Sequence, residues 1–181
     1  AIILPVIAIL SITSEWSQRT GLTSFTLVPH RGRIIRAKLT VAIGVGVVSM
    51  LLAFAIGALG NVIGAGIVGV DPVWDIGLTD FAGLILFQIL NMLIGFMLGV
   101  VFRNSAGAIV GYFVYGFVLG TITSLLAATQ DWFERAQPWV DFNYTQGALT
   151  DTSSMTGENW VQLVVTGFFW LVVPMTIGLW A

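Results

Sequence analysis

Positive charge is the chemistry that this chain concentrates most strongly. Five of its seven basic residues lie between positions 14 and 39, in a stretch that reads SEWSQRTGLTSFTLVPHRGRIIRAKL and lies between two apolar runs. Such a stretch can bind anionic lipid, bind nucleic acid or dock a partner protein. Because the positive face is small and tied to apolar segments, we expect no nucleic acid partner. Lipid contact and protein docking stay open.

Uncharged polar side chains form a second set. Gln88 and Asn91 are three residues apart, as are Tyr112 and Tyr115, so each pair shares one face of its helix. Amides and phenols at this spacing either hydrogen bond between helices or line the path of a substrate. Both interpretations of these four residues stay open.

Catalytic motifs are absent from the sequence. It contains no G-x-x-x-x-G-K-[ST], no H-E-x-x-H and no G-x-S-x-G; cysteine is absent, and His30 is the single histidine. We therefore expect this chain to be no enzyme, with no catalytic residue, no metal site and no cofactor of its own. Any ATP would bind a partner.

The elements that position these residues must be helices in lipid. The chain is 57% hydrophobic and only 9% charged, whereas a soluble domain carries about 25% charged residues. So few charges cannot cover a surface that faces water. The sequence predicts an all-α, polytopic membrane helical bundle.

Apolar runs divide the chain into segments of one transmembrane domain, residues 1–181. Roughly 20 apolar residues span the hydrocarbon core, so the first run is too short to cross it. We interpret it as the end of a truncated span, with one or more N-terminal spans missing. A glycine-rich loop follows residue 61, Asp80 caps a helix, and residues 103–105 form a tight turn. The predicted segments are 1–12 (end of a span), 14–38 (cytoplasmic loop), 39–61, 81–102, 106–128 and 160–181 (spans), and 129–159 (external).

Charge is distributed unequally between the two sides of these spans. Six of seven basic residues fall on one side and eight of nine acids on the other, with Arg135 and Glu15 as the exceptions. Basic residues favour the cytoplasmic side of short loops. We therefore expect a multi-pass protein whose 14–38 loop is cytoplasmic.

The external segment contains aromatic residues at roughly helical spacing. Trp132, Phe133 and Trp139 predict a short amphipathic helix at the outer membrane interface, which Pro138 interrupts.

The basic stretch itself has two parts. Ser14 is suited to cap a helix that runs to Val28, and Pro29 would stop it. A basic collar at the membrane surface follows, formed by Arg31, Arg33, Arg36 and Lys38.

This stretch resembles the segment between the second and third spans of ABC-2 type transporter permeases. The matching features are Glu15, a short helix over 16–28, Pro29, the arginines of the collar, and Lys38 at the start of the next span. The later order also matches: two spans around an Arg-Asn turn, a span, a long aromatic external stretch and a final span with an internal proline, Pro174. One departure is Thr20-Gly21, where many relatives read Gly-Thr.

The resemblance implies an ABC-2 (type V exporter-like) transmembrane domain in a bacterial plasma (inner) membrane. The chain would be the permease subunit of an ATP-driven exporter, paired with a second copy or a homologous permease as a homo- or heterodimer. A separate ABC ATPase subunit would bind ATP and Mg and dock on the 14–28 helix. The coupling residues would be Glu15, Trp16, Arg19, Leu22 and Phe25.

Two weaker alternatives stay open. The loop can serve only to fix topology, or the chain can be a non-transport anchor or sensor subunit of a membrane complex. Co-purification of an ATPase would separate the exporter from both.

Overall fold

The computed structural model describes residues 2–17 and 31–180, and every regular element in those ranges is helical. We number the helices in chain order, counting a helix with an internal π-helical turn as one. They are α1 (Ile3–Ser17), α2 (Arg31–Val68), α3 (Leu78–Phe102), α4 (Ser105–Thr129), α5 (Asp131–Val140), α6 (Phe142–Gly147) and α7 (Gly157–Trp180). Two 3-10 turns, Ala148–Thr150 and Thr152–Ser154, join α6 to α7.

Four of these helices are long and apolar enough to cross a membrane. They are α2 from Arg36 onward, α3, α4 and α7. The predicted all-α bundle with several membrane spans is therefore confirmed at this level. The apolar part of α1, Ile3–Ser14, is shorter than a span.

Helix α3 lies at the centre of the bundle. Helices α1, α2 and α4 and the C-terminal half of α7 all contact it. Gly95 and Gly99 let α1 approach closely, because a Cβ at Gly95 would lie 2.6 Å from the carbonyl oxygen of Pro5 and one at Gly99 would lie 3.3 Å from Ile12. Helices α1 and α3 therefore run parallel along a seam of backbone contacts.

One end of the bundle, which we call the basic end, is tied together by polar contacts. The Lys38 Nζ donates to the Ser11 carbonyl at 2.8 Å, and the Thr13 and Ser105 hydroxyls lie 2.6 Å apart. The Arg103 guanidinium donates to the Gly178 carbonyl at 3.1 Å. The end of α1, the start of α2, the α3–α4 turn and the end of α7 thus meet there.

The opposite end, which we call the acidic end, is joined through Asp80. Its Oδ1 accepts hydrogen bonds from the Thr152 hydroxyl at 2.8 Å and from the Ser153 amide at 3.2 Å. The predicted N-cap role of Asp80 was wrong, because Gly77 occupies the cap position and Asp80 lies in the first turn of α3. A carboxylate there still suits the positive end of the helix dipole.

A further carboxylate of the acidic end, Asp151, is fully exposed beside the 3-10 turns. The Ser153 hydroxyl donates to its Oδ1 at 2.6 Å, and this hydrogen bond holds the pKa of the Asp151 carboxyl below its usual value.

The α3–α4 connection agrees with the predicted tight turn at 103–105. Arg103 adopts a left-handed conformation with φ of 50°, and the Asn104 side chain caps α4 by accepting from the Gly107 amide at 3.1 Å.

Helix α2 continues past the end predicted at residue 61. It reaches Val68 and stops at Gly69, whose φ is 78°, with the amides of Gly69 and Val70 both bonded to the Ala65 carbonyl. Glycine weakens a helix in water by about 1 kcal/mol per residue. In an apolar medium an unbonded backbone group costs more than that, so the glycine-rich run stays helical.

The 14–38 loop is also shorter than predicted. Ser14 lies inside α1, where its hydroxyl donates to the Ser11 carbonyl, so it does not begin a new helix. Residues 31–38 form the first turns of α2. Both changes follow from continuous backbone hydrogen bonding, which carries each helix beyond its apolar run.

Helix α7 contains Pro174 without breaking. A π-helical turn at Phe168–Val172 precedes it. Because proline has no N–H to offer the carbonyl four residues earlier, the wider turn accommodates the missing bond.

We predict opposite effects of alanine at two glycines. Gly95→Ala should lower the stability of the bundle by about 1–3 kcal/mol, because its Cβ meets the backbone of Pro5. Gly60→Ala, with nothing within 4 Å, should leave stability unchanged or raise it by up to about 1 kcal/mol. Thermal unfolding in detergent measures both. Equal effects would contradict the α1–α3 packing.

Candidate functional site

The segment between α4 and α7 re-enters the bundle. The Asn143 amide donates to the Gly116 carbonyl at 3.3 Å, and Gly116 lies more than three helical turns before the end of α4 at Thr129. At 1.5 Å per residue this is roughly 20 Å. Helix α6 therefore lies beside the middle of α4. Helix α5 leads down to it from the acidic end, and the 3-10 turns that follow it return to Asp80 at that end.

A helix, α5, forms over the residues predicted to make an interfacial helix, and it is one arm of this re-entrant segment. Trp132 and Phe133 lie at its start with ring centroids 5.5 Å apart, and Trp132 and Trp139 are exposed. Pro138 falls in the last turn of α5 and does not interrupt it.

Glycine in α4 makes room for the re-entrant segment. A Cβ at Gly120 would lie 2.7 Å from the Asn143 Nδ2. A π-helical turn at Val114–Leu119 widens α4 at the same level. The Gly116/Gly120 pair thus contacts α6.

At the level of α6, four side chains form a connected polar cluster: Asn91, Tyr112, Tyr115 and Gln146. The Asn91 Nδ2 donates to the Gln146 Oε1 at 3.2 Å, and the Gln146 Nε2 donates to the Tyr115 hydroxyl at 3.1 Å. The Tyr112 hydroxyl donates to the Asn91 Oδ1 at 3.4 Å, a long bond. The cluster joins α3, α4 and α6.

Three members of the polar cluster are buried, and the fourth, Asn91, is half-buried. Gln146 is 1% exposed, and Tyr112 and Tyr115 are also buried. Asn91 lies near the middle of α3 and donates a further bond to the Phe87 carbonyl at 2.9 Å. Buried amides and phenols are costly unless bonded, so the cluster holds the segment at mid-bundle.

A second buried bond holds α6 against α7. The hydroxyls of Thr145 and Thr166 lie 2.9 Å apart, and both are almost fully buried. Phe142 packs against Gly167, where a Cβ would lie 3.2 Å from its ring. Helix α6 is therefore fixed to three helices.

Gln88 does not join the polar cluster. It is 4% exposed, and its Nε2 has no hydrogen-bond partner among the described residues. The structure thus brings together three of the four residues predicted as a candidate path. The fourth lies nearly one turn earlier on α3.

The residues predicted for partner docking are described only in part. Glu15 and Trp16 belong to the last turn of α1, and the side chains of both lie outside the described set, as do those of Arg31 and Arg33 in α2. Arg19, Leu22 and Phe25 lie outside the described residues altogether. Arg36 and Lys38 lie in α2 at the basic end.

Two residues of the site are not identified by the sequence analysis. Gln146 completes the polar cluster, and Asp141 caps α6 as a buried carboxylate. Both were assigned to an external segment. The one signal was local: Asp141 begins the run Asp-Phe-Asn-Tyr, typical of a helix start, within a stretch too long for a simple loop.

The polar cluster consists of uncharged groups that hydrogen bond to one another. Its members carry no charge at neutral pH, and it contains no nucleophile beside a base. Within the described ranges, no three histidine or acidic side chains converge as a metal site.

Comparison of the chain with protein-family models, with curated proteins and with solved structures gave no significant match.

We predict that the polar cluster is energetically coupled. Gln146→Leu should destabilise the protein by about 1–3 kcal/mol, because it leaves the Tyr115 hydroxyl and the Asn91 amide without their partner. In a double-mutant cycle with Asn91→Leu, the coupling energy should be about 0.6–2 kcal/mol. Reversible unfolding in mixed micelles measures it.

Gln88→Leu is the matched control for the same chemical change. Since its Nε2 makes no described bond, we expect stability to stay within about 0.5 kcal/mol of the wild type. If the losses of stability at Asn91 and Gln146 are additive, or if Gln88→Leu loses as much stability as Gln146→Leu, the hydrogen bonds of the polar cluster are contradicted.

Proposed function

We propose that this chain is the permease subunit of an ATP-driven exporter of the ABC-2 type. It would act with a second copy or a homologous permease, and with a separate ATPase that binds ATP and Mg. The observation that carries the proposal is the position of α1 and α2. Both are anchored at the basic end, through Lys38 to Ser11 and Thr13 to Ser105. The chain between them contains the stretch that resembles an ATPase-docking loop.

A continuous set of contacts supports coupling between the two ends. Helix α1 packs on the backbone of α3 at Gly95 and Gly99. Helix α3 carries Asn91, which bonds to Gln146 of the re-entrant segment. A displacement of α1 by a docked ATPase would therefore reach α6 through rigid, packed elements.

Exposed apolar faces support pairing with a second permease. Over the 18 most apolar consecutive residues of each helix, α2 buries only 6% of its residues within the chain and α4 only 11%. These faces are available to lipid and to another subunit. A path for substrate would then form between two permeases beside their polar clusters.

Docking should depend on Trp16. Trp16→Ala removes an aromatic side chain, and loss of an interface anchor of this kind costs about 2 kcal/mol or more. We expect about 30-fold weaker capture of the ATPase from host membranes, with insertion unchanged. Trp74→Ala, an exposed tryptophan of the acidic-end loop, is the matched control.

Three results separate the alternatives. Co-purification of a protein with a phosphate-binding loop, lost with Trp16→Ala alone, supports the exporter. Capture without any ATPase would point to the anchor or sensor subunit. Wild-type capture by Trp16→Ala and Glu15→Ala would leave the loop a topological role only.

The orientation is open to a direct test, because the chain has no cysteine. A single cysteine at Gly32 should react with an impermeant thiol reagent only from the cytoplasmic side. A cysteine at Thr150, exposed at the acidic end, should react only from the outside. The reverse pattern would overturn the proposed orientation.

A further inference from the structure

The re-entrant segment leaves a groove against the outer half of α4, and a buried carboxylate lies in its wall. We propose that this groove binds the ammonium group of a drug-sized amphiphilic amine, with Asp141 as the counter-ion. The polar wall of this groove is formed by Thr121, Ser124, Gln137, Asp141, Asn143 and Tyr144.

The role of Asp141 as the cap of α6 does not fully explain why a charged residue occupies this position. Asp141 is 8% exposed. Its Oδ1 accepts from the amides of Asn143 and Tyr144 at 2.9 and 3.2 Å, and its Oδ2 accepts from the Gln137 Nε2 at 3.2 Å. These bonds use three of about four acceptor positions of a carboxylate. All three donors are neutral, so they stabilise the carboxylate but leave its negative charge without a cationic partner.

Asp141 lies deep in the bundle. It begins α6 two residues before Asn143, which bonds to Gly116 in the middle of α4. Ionisable side chains at such depth are rare in membrane proteins and line ligand or ion pathways. A capping role alone is also served by a neutral asparagine or serine. The carboxylate at this position therefore points to a cationic ligand.

Charge complementarity selects the sign of that ligand. Asp141 is the one charged residue among those that line the groove. Arg135, the basic residue of the segment, is exposed and donates to the Asp131 carbonyl at 3.2 Å. Among the described residues, none that lines the groove is basic. An anion would meet an uncompensated carboxylate there, whereas an ammonium would neutralise it.

The groove is an open cleft with room for a drug-sized ligand. Its volume is about 660 Å³, within the range of roughly 300–1,000 Å³ that holds a drug-sized molecule. Phe117, Leu125 and Ala128 supply an apolar strip on the same face of α4 as Thr121 and Ser124. A molecule with an amine and one compact apolar body matches this wall better than a two-chain lipid.

The proposal goes beyond the proposed function and does not depend on it, because binding needs no ATPase. The protein is placed in phosphatidylcholine nanodiscs and titrated with dansylcadaverine, which carries a primary amine and an apolar fluorophore. Energy transfer from tryptophan reports binding. We expect saturable binding by the wild type and at least tenfold weaker binding by N-acetylated dansylcadaverine, which lacks the charge.

Asp141→Asn should weaken dansylcadaverine binding at least tenfold, since it removes the charge and keeps an acceptor for the α6 cap. Asp131→Asn, an exposed acid of α5 outside the groove, should bind as the wild type does. Should Asp141→Asn fail to fold, Ser124→Phe provides the test, because it fills the groove from α4 without touching the cap. It too should abolish saturable binding.

Three outcomes of the probe and variant titrations would overturn the proposal. They are equal affinity for the acetylated probe, wild-type affinity in a folded Asp141→Asn or Ser124→Phe variant, and loss of binding in Asp131→Asn to the same extent. Phosphatidylethanolamine included in the nanodisc should not compete. Full competition would assign the groove to a lipid headgroup and overturn the assignment to a free amine.

Discussion

The hydrogen bonds of Gln146 hold the re-entrant segment in place, and the architecture of the acidic half depends on them. Helix α6 brings backbone and side-chain polar groups to the middle of an apolar bundle, where each needs a partner inside the protein. Gln146 supplies two, by accepting from Asn91 and donating to Tyr115. The Thr145–Thr166 contact adds a third attachment. Without these bonds, the buried amides and hydroxyls of α6 would be left unsatisfied, which costs free energy.

Helix α3 connects this segment to the basic end. It carries Asn91 at mid-length and the glycine seam with α1 nearer its C-terminus. Because helices in lipid gain little from apolar burial alone, close backbone contact and interhelical hydrogen bonds decide their packing. Both kinds of contact occur on α3. This one helix therefore contacts α1, which leads into the predicted docking loop, and α6, which carries part of the candidate site.

The sequence predicts the helical class, four apolar spans and the turn at Arg103, because length, hydropathy and charge placement are local properties. It also predicts that Gln88 and Asn91 share one helix face and that Tyr112 and Tyr115 share another, although Gln88 stays outside the polar cluster. It cannot predict Gln146 or Asp141 as site residues, since their depth follows from the return of the chain after α4. The helix ends at Ser17 and Val68 were missed for a related reason: backbone bonding in lipid extends helices beyond the residues whose propensities suggest a stop.

Spin labelling measures the depth of α6 in the membrane. A nitroxide at Tyr144→Cys, beside the polar cluster, is compared in liposomes with nitroxides at Trp132→Cys and Val118→Cys, all exposed positions. Power saturation with oxygen and with a water-soluble nickel complex reports depth. If α6 is re-entrant, the Tyr144 label should resemble the Val118 label of mid-α4, with oxygen access exceeding nickel access, while the Trp132 label should show the reverse. A Tyr144 label as accessible to nickel as the Trp132 label would contradict a re-entrant segment.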